Sequence, residues 1–193
     1  MESMTRKTEL PPPGVRVHQT GIDSARVYAQ RPAPLPTART PWAWRTATFL
    51  SIGRLKPGPG TWASLAVTLL WYLCLSPAEP GPWTVAIVSL ICALAAALLG
   101  IPAGTIVERE SGVTDPGFVV IDEVAGQCVT LAVAPVDVGH AFAAFLLFRF
   151  FDIVKPWPVR RLEQFPGGTG IMLDDLAAGA YGLLVMLALR VWW

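Results

Sequence analysis

From Gly53 onward the chain alternates between apolar runs of helical length and short connections rich in Gly, Pro and charge. Gly53–Thr61 (GRLKPGPGT) is a loop, and Thr61 is the expected N-cap of Trp62–Leu75, an apolar stretch short of the roughly 20 residues a membrane crossing takes. After a break at Ser76–Pro82, Trp83–Ile101 is the clearest spanning helix. It is expected to end near Pro102, because an interior proline removes a donor and crowds the preceding turn. Glu108–Gly117 is polar, and Phe118–Val133 is apolar except for Asp122 and Glu123. Pro135–Gly139 interrupts the pattern and Ala141–Phe151 resumes it, so these two arms read as a short, re-entrant hairpin. Pro156–Gly170 is a polar loop carrying Arg160, Arg161 and Glu163. Ile171–Trp193 is the last helix, apolar apart from Asp174, Asp175 and Arg190. The fold expected is all-α, a small multi-helix membrane bundle over residues 41–193.

The N-terminal part follows a different pattern. Residues 1–40 are rich in Pro, Arg and Thr and show no sustained periodicity, as in a disordered, mildly basic tail. Pro41–Ile52 has two tryptophans and Arg45 and reads as an interfacial helix. Composition sharpens the membrane reading: of 193 residues, 53% are hydrophobic and only 15% charged, where a soluble domain carries nearer a quarter. Mean hydropathy is +0.48. A net charge of +1 argues against nucleic acid as a partner. Cys74, Cys92 and Cys128 lie in apolar runs without metal-ligand spacing, and His18 and His140 are the only histidines. Nothing in the sequence speaks to oligomeric state.

Sidedness can be read from the connections. Arg54, Lys56, Arg109, Lys155, Arg160 and Arg161 all fall in alternate loops, while Ser76–Pro82 and Pro135–Gly139 contain no Lys or Arg. The positive-inside rule makes the charged face cytoplasmic, and the same alternation places Asp115, Asp122, Glu123, Asp152, Asp174 and Asp175 there. In Phe148–Pro158 (FRFFDIVKPWP), Arg149, Asp152 and Lys155 recur at three-residue spacing along one helix face before a Pro-Trp-Pro stop. The bland reading of that row is a structural ion pair at a helix end. Several carboxylates gathered at one membrane face repel one another unless they are protonated, paired or bound to a cation. With no Cys or His cluster, the fitting guest is a hard, oxygen-liganded ion such as magnesium. Arg149, Lys155, Lys56 and Arg54 would supply positive charge for a phosphate group. The Cys-x5-Arg loop, the DxDx[TV] motif and the P-loop are all absent, which leaves a metal-activated water as the simplest nucleophile.

Four stretches together resemble the phosphatidylglycerophosphatase A family: Lys56–Ser64 (KPGPGTWAS), Asp115–Gly126 (DPGFVVIDEVAG), Phe148–Pro158 and Gly167–Gly179 (GGTGIMLDDLAAG). The resemblance covers about residues 53–190. It implies magnesium-dependent hydrolysis of phosphatidylglycerophosphate to phosphatidylglycerol and phosphate, in phospholipid biosynthesis at the cytoplasmic face of a bacterial inner membrane. Carried over position by position, it implies Asp122, Glu123, Asp152, Asp174 and Asp175 as the catalytic and metal-binding acids, with Asp115 a weaker member. Arg149, Lys155 and Lys56 are the expected phosphate contacts. Thr61 and Ser64 are candidates to hydrogen-bond the phosphate or headgroup, with N-capping and helix packing the weightier reading for those two. The alternatives are a phosphatase for another membrane lipid phosphate and a non-enzymatic cation-transport protein. The latter needs acids spread through the membrane depth.

Overall fold

The computed structural model describes residues 39–157, 159–162, 165 and 167–190. The expected tail therefore lies outside the described residues except for Arg39 and Thr40, as do Pro158, Glu163 and the terminal Trp192 and Trp193. The described elements are α1 (Pro41–Ala47), α2 (Pro59–Leu75), α3 (Pro82–Ser111), α4 (Ile121–Leu131), α5 (Val138–Val154), α6 (Val159–Leu162) and α7 (Gly168–Arg190), with 3-10 turns at Ile52–Arg54 and Ser76–Ala78. There is no strand among the described residues.

α2, α3 and α7 are long and apolar enough to cross a membrane. Their large side chains point outward as well as inward: Leu69, Leu73, Ile91, Leu94, Leu98 and Leu184 are all exposed. In water such surfaces would aggregate; in lipid they are the solvent-facing side. This is a membrane protein.

The centre is α4. At 11 residues it is too short to span a bilayer, and α2, α3, α5 and α7 surround it. Nine of its residues are buried, including Asp122, Gln127 and Thr130. Its tightest neighbour is α7, where glycines let the backbones meet. A Cβ at Gly126 would collide with the Asp175 carbonyl and the Phe148 ring, and one at Gly179 with the Gly126 carbonyl. Thr130 Oγ1 donates to the Gly179 carbonyl at 3.1 Å across the same crossing. Small residues at a helix crossing are how membrane helices gain close packing without a hydrophobic driving force.

Two expectations about helix ends are corrected. α3 does not stop near Pro102; it continues to Ser111. Tertiary contacts hold the extra turns: Thr105 Oγ1 donates to the Ile101 carbonyl and accepts the Gly168 N–H at 3.0 Å, pinning the continuation to the start of α7. Prolines inside membrane helices are tolerated where neighbours satisfy the freed backbone groups. Thr61 is not an N-cap. α2 begins two residues earlier at Pro59, whose fixed φ suits a first helical position, after a left-handed Gly58.

α1 lies against α3, with Ala43 and Ala47 fully buried. Glu110 near the end of α3 accepts the Thr40 N–H, the Thr40 hydroxyl and, at 2.6 Å, the Trp44 indole N–H. The Ala47 carbonyl accepts the Val120 N–H, which ties α1 to the entrance of α4.

Candidate active site

The chain order α2-in, α3-out, α4-in, α5-out, α7-in places the start of α4, the end of α5 and the start of α7 at one end of the bundle. Those three segments carry the acids. Asp122 and Glu123 occupy the first turn of α4, Asp152 the last turn of α5, and Asp174 and Asp175 the second turn of α7. Asp122, Asp152, Asp174 and Asp175 are buried and Glu123 is partly so. The Gly126–Gly179 crossing sets how near α7 approaches α4, and Asp175 consequently reaches the α4 acids. One carboxylate oxygen each from Asp122, Glu123 and Asp175 lies within 4.8 Å of the others. Asp175 also stands in the field of Asp152 and Asp174.

The cations are shared out among the outer acids. Arg149 Nη1 lies 2.5 Å from Asp152 Oδ2 and 3.9 Å from Glu123 Oε1. The Arg149–Asp152 approach is an ion pair off the hydrogen-bonding direction, so the buried Nε and Nη1 donors remain unsatisfied. Lys155 does not stay in the expected row with Arg149 and Asp152. Pro156 disfavours helical geometry at the residue before it, Lys155 turns left-handed at φ 46°, and its Nζ reaches Asp174 Oδ2 at 2.6 Å. Asp174 Oδ1 also accepts the Asp175 N–H at 3.0 Å.

Among the described residues this partition leaves Asp122 and Asp175 without an ion pair, and Glu123 with only the 3.9 Å approach of Arg149. Asp122 Oδ1 and Glu123 Oε2 are buried with no hydrogen bond. A buried carboxylate oxygen left unsatisfied is costly unless it is protonated or meets a cation. All-oxygen donors, mutual proximity and orphaned lone pairs suit a hard divalent ion. Asp122, Glu123 and Asp175 are the residues that could hold one, with Asp152 and Asp174 engaged in keeping Arg149 and Lys155 in place.

The other expected contacts fall differently. Ser64 is fully buried and its hydroxyl donates to the Gly60 carbonyl at 2.9 Å, a packing arrangement within α2. Thr61 is exposed on the first turn of α2, and Lys56 is exposed in the preceding loop. Asp115 stands apart on an exposed turn, its N–H directed at Glu108. Gly60 closes the α2 side of the acid cluster: a Cβ there would run into the Glu123 carboxylate and sit 3.0 Å from Arg149 Nη1.

One residue escaped the sequence reading. Gln127 is fully buried on α4 and neither amide atom has a hydrogen bond. The signal was its position one helical turn after Glu123, which puts both polar groups on the same face of the helix.

Residues 45–190 match the model of the family described as phosphatidylglycerophosphatase A. The chain belongs to that family. It is 39% identical over 142 residues to the phosphatidylglycerophosphatase A of Haemophilus influenzae, covering 72% of this chain and 83% of the relative. It is 38% identical over 127 residues to the Escherichia coli protein of that name, covering 63% and 67%. A third relative, from Bacteroides thetaiotaomicron, is 37% identical over 137 residues, covering 68% and 83%, and carries the provisional name phosphatidylinositol-3-phosphatase. No solved structure matches the chain. The protein is therefore a membrane-embedded phosphatase.

Proposed function

We propose that the protein hydrolyses phosphatidylglycerophosphate to phosphatidylglycerol and inorganic phosphate, using magnesium, at the cytoplasmic face of a bacterial inner membrane. The observation that carries this reading is the convergence of Asp122, Glu123 and Asp175 at the charged end of an apolar bundle, in a chain of this family. A bound divalent ion would lower the pKa of a coordinated water and offset charge on the phosphoryl oxygens.

The protein's own groups account for the rest. The buried Nε and Nη1 donors of Arg149 have no hydrogen bond and are suited to phosphoryl oxygens. Lys155, held by Asp174, adds a second positive charge at the rim. In hydrolysis the water oxygen bonds to phosphorus, the ester bond to the glycerol oxygen breaks, and the departing oxygen takes up a proton. Glu123 Oε2, buried and unbonded, is the candidate to take the water's proton. Gly60, by lacking a Cβ, leaves room for that carboxylate.

The transport alternative needs acids along the membrane depth, whereas the acidic cluster sits at one end. A different lipid phosphate as substrate is favoured by the name of the Bacteroides relative. Phosphate release from phosphatidylglycerophosphate and from phosphatidylinositol 3-phosphate, in neutral detergent with and without chelator, decides between the two. The proposal expects chelator-sensitive release from the former; release only from the latter would overturn it.

A further inference from the structure

Next to the acid cluster, and separate from it, lies an open cleft of about 700 Å³ between the 53–59 loop, α1 and the polar end of α3. That volume is in the range of small-ligand sites. Three cations line it: Arg39, Arg54 and Lys56. Arg54 and Lys56 are exposed, and neither has an ion pair among the described residues. This contrasts with Arg149 and Lys155, which are both paired with acids. The single acid in the cleft wall, Glu110, is already saturated by Thr40 and Trp44 and turned toward them. Arg39 lies over the Trp44 ring at 4.4 Å, and Trp44 stacks on Phe118 at 5.4 Å, giving the cleft a flat apolar wall beneath its charges. Asp122, Glu123 and Arg149 do not line the cleft. The two sites meet at the first turn of α2, where Pro59 borders the cleft and the next residue, Gly60, borders Glu123.

A positively charged cleft beside a phosphatase centre fits a substrate with two phosphates. Phosphatidylglycerophosphate has a terminal phosphomonoester and, across a three-carbon glycerol, a phosphodiester leading to the diacylglycerol. We propose that Arg54 and Lys56 bind the phosphodiester in this cleft while the monoester lies at the acid cluster, so that the cleft selects lipids carrying both groups. This rests on the reading under Proposed function. The ligand chemistry is a lipid phosphodiester, and a neighbouring anionic lipid is its other possible source.

The test uses the full chain in neutral-detergent micelles with phosphatidylglycerophosphate as substrate, and phosphatidylglycerol or inorganic phosphate as inhibitor. Phosphatidylglycerol keeps the diester alone and inorganic phosphate mimics the monoester alone. Arg54→Ala and Lys56→Ala should each raise KM, and the inhibition constant of phosphatidylglycerol, by about tenfold, as expected for losing a charged hydrogen bond. The inhibition constant of inorganic phosphate should not move, and Arg54→Lys should recover part of the loss. Arg45→Ala, on α1 and outside the cleft, controls for nonspecific loss of charge. Equal shifts for phosphatidylglycerol and inorganic phosphate would overturn the proposal, as would wild-type indifference to phosphatidylglycerol. So would an Arg54 effect seen only after phosphatidylserine is added, which would make the occupant a bystander lipid. Hydrolysis with unchanged KM in both variants removes the cleft assignment alone, whereas no hydrolysis of phosphatidylglycerophosphate by the wild type removes the proposed function itself.

Discussion

The two ends of the bundle are built from the same helices but differ in what they do with charge. At one end, five acids and two cations from α4, α5 and α7 meet, four of those acids buried and two oxygens unsatisfied. At the other end, the connections after α2 and α4 carry few charges. Asp137 is a solvent-exposed N-cap that accepts the His140 N–H at 3.0 Å and faces the His140 ring, and Trp71 Nε1 is satisfied by Ser89 Oγ at 2.9 Å. The described polar groups at that end find local partners; at the charged end buried oxygens of Asp122 and Glu123 have none. The lesson is that burial alone does not mark a site, since Ser64, Thr68 and Ser89 are buried polar residues with ordinary partners. Orphaned groups contributed by separate helices do.

The contrast is broken most strongly by removing an inner acid. Asp122→Asn and Asp175→Asn should each lower turnover by about a thousandfold or more, measured as phosphate release, with helicity by circular dichroism unchanged. Gly60→Ala is expected next. Its methyl displaces the Glu123 carboxylate without deleting any functional group, and a misplacement of about 1 Å costs on the order of 100-fold in rate. Gly126→Ala attacks the same geometry from the α7 side, but through the backbone. It should destabilise by about 1–3 kcal/mol, read as a lower thermal midpoint in detergent, with loss of activity following from the shifted α7.

The smallest effect belongs to the opposite end. Asp137→Ala should lose about 1 kcal/mol of helix-cap stabilisation and leave turnover unchanged. Burial pushes the Asp137 carboxyl up, but the backbone and ring hydrogen bonds from His140 outweigh it and hold the group below its usual range. Its contribution is therefore complete above the ordinary carboxylate pKa and disappears as the pH falls through the lowered value. An acid titration of thermal stability should show this loss in the wild type and not in Asp137→Ala. Activity loss in Asp137→Ala comparable to that in Asp175→Asn would erase the distinction between the ends.

Much of this distinction was legible in the residues. Acids interrupting apolar runs at Asp122, Glu123, Asp174 and Asp175 stand out, because hydrocarbon penalises charge and few other charges occur there. Helix identity followed from the same apolar runs. The details that were not legible depend on contacts between distant segments. Pro102 looked like a terminus because proline is judged by local sterics, yet Thr105 and Gly168 carry α3 past it. Arg149, Asp152 and Lys155 looked like one row because three-residue spacing assumes an unbroken helix. The turn at Lys155 redirects its ammonium to α7. Gln127 was passed over in a stretch that reads as apolar except for Asp122 and Glu123, since only the packing around α4 reveals that its amide has no partner. The cleft of Arg39, Arg54 and Lys56 was likewise invisible, being assembled from α1, a loop and the far end of α3.

The central claim is that Asp122, Glu123 and Asp175, from two helices packed through Gly126 and Gly179, jointly hold one divalent ion. Manganese binding by the purified chain in detergent, followed by electron paramagnetic resonance, tests it without reference to turnover. Wild-type protein should bind manganese in competition with magnesium, and Asp122→Asn and Asp175→Asn should each weaken binding by about tenfold or more, while Asp137→Asn binds as the wild type does. Equal manganese affinity in the wild type and in both inner-acid variants would contradict it.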